Sequence, residues 1–246
     1  DRACSSPNLM NRGFLYGDGF FETIRVVDGN IPLLQTHIDR INDAIEIFRM
    51  EPTFLIDEEF IRRIGLSYTK NGIVRINFFR DGKGQYSPET DEVAFDHSYR
   101  EYSNPFFLPI SLDLEADLKK APLASGKIGV YPEPKPIVQW MTVKSLSSIY
   151  YVLAAKYKQE QELYYLLIQN TEGHICEELI SNILIQKGEY FFIPSLSSGG
   201  INGATQRFLL RNYGFAITEK TITMSDIEEA DAVYSCKGST GVSRVR

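Results

Sequence analysis

The pair Asp28-Gly29 sits between two β-rich runs, Thr23 to Val27 and Asn30 to Leu34. Both residues accept the positive φ of a type I′ turn, so the spacing predicts a hairpin closed by two residues. Apolar residues then fall at Ile38, Ile41, Ile45 and Phe48, which predicts a helix from about Thr36 to Arg49 with Arg40 off its apolar stripe. Asp57 is a good N-cap, with Glu58 and Glu59 in the first turn, for a second helix that ends before Asn71-Gly72. Strands are expected from Ile73 to Phe79 and around Val93 to Tyr102, on either side of the loop Asp81-Gly82-Lys83-Gly84. These elements make an α+β unit over residues 1–110.

Mixed charge, Pro122 and weak periodicity make 111–125 the expected linker, and a larger unit over 126–246 follows it. That unit should hold a strand at Lys127 to Tyr131 and a segment kept extended by Pro132, Pro134 and Pro136. A helix from Ser145 to about Glu160, with Lys144 at its entrance, comes next. An antiparallel meander is expected over Leu163 to Gln169, His174 to Cys176, Asn182 to Lys187 and Tyr190 to Ile193. Gly199-Gly200-Ile201-Asn202-Gly203 feeds a helix from Ala204 to about Asn212, with Gly214 as its C′ residue. Ser225 and Glu228 suggest a capping box for one short helix before a strand at Asp231 to Cys236. The fold class is α/β, of the α+β kind, in two domains.

Composition removes several functions. Lys and Arg number 26 against 32 Asp and Glu, a net charge of -6, so no global field draws in nucleic acid or an anionic membrane. Three distant cysteines, Cys4, Cys176 and Cys236, make neither a disulfide framework nor a zinc knuckle. No apolar run is long enough to cross a bilayer, and a reducing, cytoplasmic setting is expected. Asp1-Arg2-Ala3-Cys4 has neither an initiator Met nor a signal-peptide core, and Val242 to Arg246 reads as a strand cut short. The sequence is therefore expected to lack a little at each end.

His37, His97 and His174 form no H-x-x-x-H or H-E-x-x-H pair, and neither a nucleophile elbow nor a P-loop occurs. The residues left suit a phosphorylated, electron-withdrawing cofactor: a lysine, a carboxylate on a sheet edge, an arginine and a Gly-led helix N-terminus. Five segments occur in order: Tyr16 to Arg25 (YGDGFFETIR), His37-Ile38-Asp39-Arg40, Val143-Lys144-Ser145-Leu146, Glu177 with Ser181-Asn182-Ile183, and Ile201-Asn202-Gly203-Ala204-Thr205. Together they resemble the class IV aminotransferases, pyridoxal-phosphate enzymes of fold type IV. This family includes branched-chain and D-amino acid aminotransferases and 4-amino-4-deoxychorismate lyase.

The resemblance implies the D-amino acid aminotransferase-like fold, pyridoxal 5'-phosphate as cofactor, a small-molecule substrate and a homodimer. By it, Lys144 matches the lysine that bonds to the cofactor aldehyde and moves the substrate proton, and Glu177 matches the carboxylate facing the pyridine nitrogen. Arg40, Gly203, Ala204 and Thr205 match the phosphate cradle. Ser239 substitutes for a Thr or Ser whose strict counterpart here is Gly238. Phe21 stands where the D-amino acid enzymes have a carboxylate-binding tyrosine, and Arg75 is the candidate for the substrate carboxylate. Each residue also has a plainer role open to it: a helix-capping lysine, a solvated Glu177-Glu178 pair, a solvated helix or strand arginine, an ordinary loop-to-helix junction. Ile149 replaces the tyrosine that branched-chain enzymes carry five residues after the lysine. The activity implied is amino transfer between an amino acid and a 2-oxo acid, with the lyase as the alternative.

Overall fold

The computed structural model describes residues 11–68 and 70–245; the readings that fall on Asp1 to Cys4 and on Arg246 lie outside these. The described residues group into two units, the chain up to Ser103 with Val143–Ser148, and Asn104–Thr142 with the chain from Ile149. Among the described residues no helix is long and apolar enough to cross a membrane.

The first unit contains α1 (Arg12–Tyr16), β1 (Gly19–Val26), α2 (Leu34–Phe48), α3 (Glu58–Gly65), β2 (Gly72–Arg80) and β3 (Val93–Glu101). Its strands form an antiparallel sheet in the order β1-β2-β3. Alternate strand residues share a face. Phe20, Ile24, Val26, Val74, Ile76 and Phe78 accordingly join Ile38 and Ile41 of α2 and Phe60, Ile61 and Ile64 of α3 in one buried cluster. The Asp28-Gly29 turn forms as expected, with φ values of 48° and 76° and reciprocal backbone bonds between Val27 and Asn30. The second hairpin strand does not form. Pro32 has no ladder donor, α2 begins at Leu34, and β1 pairs with β2 instead.

In the second unit, α4 (Leu114–Leu118) occupies part of 111–125 and buries Leu114 and Leu118 beside Leu184, Phe191 and Leu209. It is followed by β4 (Ile128–Val130), α5 (Ile149–Glu160), β5 (Tyr165–Gln169), β6 (Ile175–Glu178), β7 (Asn182–Lys187) and β8 (Tyr190–Pro194). Next come α6 (Ala204–Tyr213), β9 (Ile217–Lys220), α7 (Met224–Glu228), β10 (Ala232–Lys237) and β11 (Gly241–Arg244). The expected meander is split, because the strands belong to two sheets, β4-β5-β6 and β11-β10-β7-β8-β9. The break lies between β6 and β7, at a tight turn where Glu178 N–H donates to Ser181 O at 2.9 Å.

Three local expectations are corrected. Helix α5 starts at Ile149 rather than Ser145, so Lys144 lies on a stretch paired with β1 and not at the helix entrance. The capping box of α7 is Thr223 with Asp226, since Thr223 has the extended backbone an N-cap requires and reciprocal side-chain bonds to Asp226. Gly214 ends α6 with φ -58°, so the last turn closes without a left-handed residue.

Candidate functional site

The extended stretch around Lys144 runs beside the free edge of β1. Phe21 N–H donates to the Lys144 carbonyl at 2.7 Å, and Leu146 N–H donates to Gly19 O at 2.9 Å. Antiparallel pairing of Phe20 with Ser145 then turns Lys144 to the Phe21 face of the sheet. Lys144 Nζ lies 5.3 Å from the centre of the Phe21 ring. On the same face, the register aligns Thr23 with Arg75, and the Arg75 guanidinium stacks over the same ring at 3.6 Å. Arg75 Nε donates to Asn77 Oδ1 at 2.8 Å, and Asn77 in turn donates to Asp96 at 2.6 Å. Both terminal guanidinium nitrogens of Arg75 are without a hydrogen bond among the described residues. The structure thus brings Phe21, Arg75 and Lys144 together.

Glu22, next along β1, points to the opposite, α2-facing side and is 2% exposed in a row of apolar residues. A carboxylate there requires compensation. His37 Nδ1 lies 2.9 Å from its Oε1, and Arg40 donates through Nε at 3.0 Å and through Nη2 at 2.7 and 2.5 Å. Burial pushes the Glu22 carboxyl up, but Arg40 and His37 outweigh it and hold the group at about 2. Arg40 is therefore neither solvated nor outside the buried side of α2, contrary to the apolar stripe read from its neighbours. Two of its three nitrogens serve Glu22, and Nη1 has no bond among the described residues.

In the second unit Glu177 stands on β6 with 2% exposure. Its Oε1 accepts from Lys135 Nζ at 2.7 Å and from the Tyr151 hydroxyl at 2.8 Å, and its Oε2 accepts from Ile201 N–H at 2.8 Å. Glu177 and Glu178 are not a solvated pair. The Glu178 carboxylate points elsewhere, accepting from Ile180 N–H at 3.0 Å and the Ser181 hydroxyl at 2.9 Å, and so staples the turn out of β6. The Glu177 bond fixes the glycine-rich loop, whose Ile201 carbonyl is also held by Asn182 Nδ2 at 2.6 Å.

That loop delivers Gly203 as the N-cap of α6, with no side chain capping the helix. A Cβ at Gly203 would collide with Asn182 Oδ1. The first N–H groups of a helix have no partners within it, and the dipole there favours an anion. Ala204 and Thr205 are buried, and Thr205 Oγ1 is fully enclosed with no hydrogen-bond partner among the described residues. A buried hydroxyl left bare beside an uncapped helix start fits a phosphate group, whose oxygens are acceptors. Ser239 is buried in the turn from β10 to β11.

The sequence reading missed Lys135, Tyr151, Glu22 and His37. Lys135 is hidden within a proline run, where its spacing carries no signal. Tyr151 is one of two adjacent tyrosines, and its neighbour Tyr150 donates to the Glu133 carbonyl at 2.7 Å instead. Glu22 and His37 stand inside the quoted segments, and their apolar surroundings could have indicated a buried pair. Ile149 is 66% exposed.

The sequence profile of the family Amino-transferase class IV matches residues 19–246. The chain is 25% identical over 212 residues to an aminodeoxychorismate lyase of Bacillus subtilis strain 168, covering 82% of this chain and 67% of that protein. It is 24% identical over 240 residues to a D-alanine aminotransferase of Bacillus licheniformis, covering 95% and 80%. Among solved structures, an aminotransferase from Brucella abortus bound to the co-factor PLP superposes with a TM-score of 0.72 at 20% identity, over 92% of this chain and 80% of that one. Likeness at that identity concerns the fold alone, and the fold is the expected D-amino acid aminotransferase-like one, fold type IV.

Proposed function

The chain belongs to the amino-transferase class IV family, and on that premise we propose that it is a pyridoxal-phosphate-dependent aminotransferase moving an amino group between an amino acid and a 2-oxo acid. One arrangement carries this reading: a primary amine and a guanidinium face the same aromatic ring, Lys144 Nζ at 5.3 Å and Arg75 at 3.6 Å from the centre of Phe21. An amino acid and its 2-oxo acid share a carboxylate next to the reacting carbon. The Arg75 fork can hold that carboxylate by two parallel bonds, which leaves the Lys144 amine to move the proton beside it.

Pyridoxal phosphate, when bound, supplies an electron-withdrawing ring that makes the substrate Cα proton acidic. Glu177 would hold the ring nitrogen. The Thr205 hydroxyl and the first N–H groups of α6 would hold the phosphate, with Gly203 giving the backbone its close approach and Ser239 and Arg40 adding a hydroxyl and a guanidinium. Lys144 Nζ would hold the cofactor at its aldehyde carbon, and its amine would move the substrate Cα proton. Phe21 stacks on Arg75 and fixes its direction. A homodimer in the cytoplasm acting on small molecules belongs to the same proposal.

A second reading, elimination of pyruvate from aminodeoxychorismate to give 4-aminobenzoate, is favoured by the similarity to the Bacillus subtilis lyase. It asks the same amine to move protons and needs no acceptor oxo acid. Product analysis separates the two. Release of a 2-oxo acid from an amino acid, coupled to amination of an added oxo acid, supports the transferase; 4-aminobenzoate formed without added oxo acid supports the lyase.

A further inference from the structure

Lysine is rarely buried whole, yet Lys135 is 0% exposed. Its backbone continues the line of β4 beside β5, donating to the Gln169 carbonyl at 2.8 Å. Its ammonium reaches one carboxylate oxygen, Glu177 Oε1 at 2.7 Å, and lies 5.4 Å from the centre of the Tyr151 ring. The Tyr151 hydroxyl donates to that same oxygen at 2.8 Å. Burial, then the Glu177 charge, push the Tyr151 phenol well above its ordinary value, so it remains a donor. Oε1 thus takes two side-chain donors, whereas Oε2 takes one N–H, from Ile201. A carboxylate oxygen accepts two hydrogen bonds in its plane. Oε2 is the oxygen with a place left.

Resting on the reading of Glu177 as the partner of the cofactor ring, we propose that Lys135 is a positioning residue for that ring. By pairing with Oε1 it supplies the counter-charge to the buried carboxylate and keeps it turned so that Oε2 is the acceptor offered to the ring nitrogen. A neutral residue at 135 would leave a buried carboxylate without its counter-charge, and such a group takes up a proton. A protonated Glu177 would no longer favour a protonated ring. Lys135 touches neither substrate nor the reacting atoms, and its charge acts through Glu177.

The test compares the wild type with Lys135→Met and Lys135→Arg, each with and without added pyridoxal phosphate. Infrared difference spectra read whether Glu177 carries a proton. Lys135→Met should gain a protonated-carboxyl band that the added change Glu177→Gln removes, and Lys135→Arg should not gain it. In the loaded protein, the pH at which the cofactor absorbance changes should move by about one unit or more in Lys135→Met, the size expected for loss of one neighbouring charge. Lys135→Arg should restore it. If Lys135→Met does not fold, Lys135→Gln gives the same readouts, since its amide can donate to Oε1 without a charge. An unchanged infrared spectrum in the neutral variant overturns the proposal, as does an absorbance profile that overlays the wild type. Protein that takes up no cofactor defeats the proposed function instead, and the infrared comparison still judges the link between Lys135 and Glu177.

Discussion

Phe21 and Lys144, 123 positions apart, are joined at the backbone, where the Phe21 N–H donates to the Lys144 carbonyl at 2.7 Å and the lysine amine lies 5.3 Å from the phenylalanine ring. The strand edge holds Lys144 in place through its main chain. Lys144→Ala should therefore fold with wild-type stability and lose about 10²–10⁴-fold in turnover, the range for a removed proton-transfer group. Thermal melts and steady-state assays on the same preparation check both halves.

Thr205→Val should separate stability from cofactor binding. The Thr205 hydroxyl is buried without a partner, and replacing it with a methyl group removes a desolvation cost, so the cofactor-free variant should be more stable by about 1 kcal/mol. If the hydroxyl donates to the phosphate, the same variant should bind pyridoxal phosphate more weakly. Denaturant melts without cofactor and an equilibrium titration with it should give effects of opposite sign.

The pH dependence of stability should carry the mark of Glu22. Burial raises this carboxyl, but Arg40 and His37 hold it at about 2, below its ordinary 4.5. A carboxyl depressed in the folded state contributes its stability above the unfolded value and loses it as pH falls through the folded one, here between 4.5 and about 2. The shift corresponds to about 3 kcal/mol. Asp226, raised by burial and lowered further by Lys220 and Thr223 to about 2, titrates in the same window. The informative quantity is therefore the difference between wild type and Glu22→Gln, which should shrink as pH falls from 4.5 toward 2.

Much of this arrangement was legible in the residues. Local signals such as the Asp28-Gly29 turn, the Asp57 cap and the apolar spacing of α2 gave elements near their observed positions, because each depends on neighbours in the chain. Resemblance alone singles out Lys144, and local spacing misplaces its setting: helical spacing continues back to Leu146, while the stretch pairs with an edge strand more than a hundred residues away, which no local pattern encodes. The split of the expected meander has the same origin, since strand spacing does not say which sheet a strand joins. Lys135 was missed for a related reason, since only the register of its segment beside β5 directs its amine at Glu177.

Breaking the pair of Glu177 and Lys135 from the carboxylate side should be costly. Glu177→Gln leaves the Lys135 charge buried against a neutral amide, and loss of one partner of a buried ion pair costs about 3 kcal/mol or more. The double variant Lys135→Met with Glu177→Gln should recover most of that loss without recovering activity. A double-mutant cycle of melting free energies checks it.

The most direct test of the central claim is borohydride reduction of the protein loaded with pyridoxal phosphate, followed by proteolysis and mass mapping of the modified peptide. The account predicts one stable cofactor adduct, on Lys144, and its absence in Lys144→Ala. An adduct on another lysine, Lys135 included, or no adduct in protein that binds the cofactor, would contradict it.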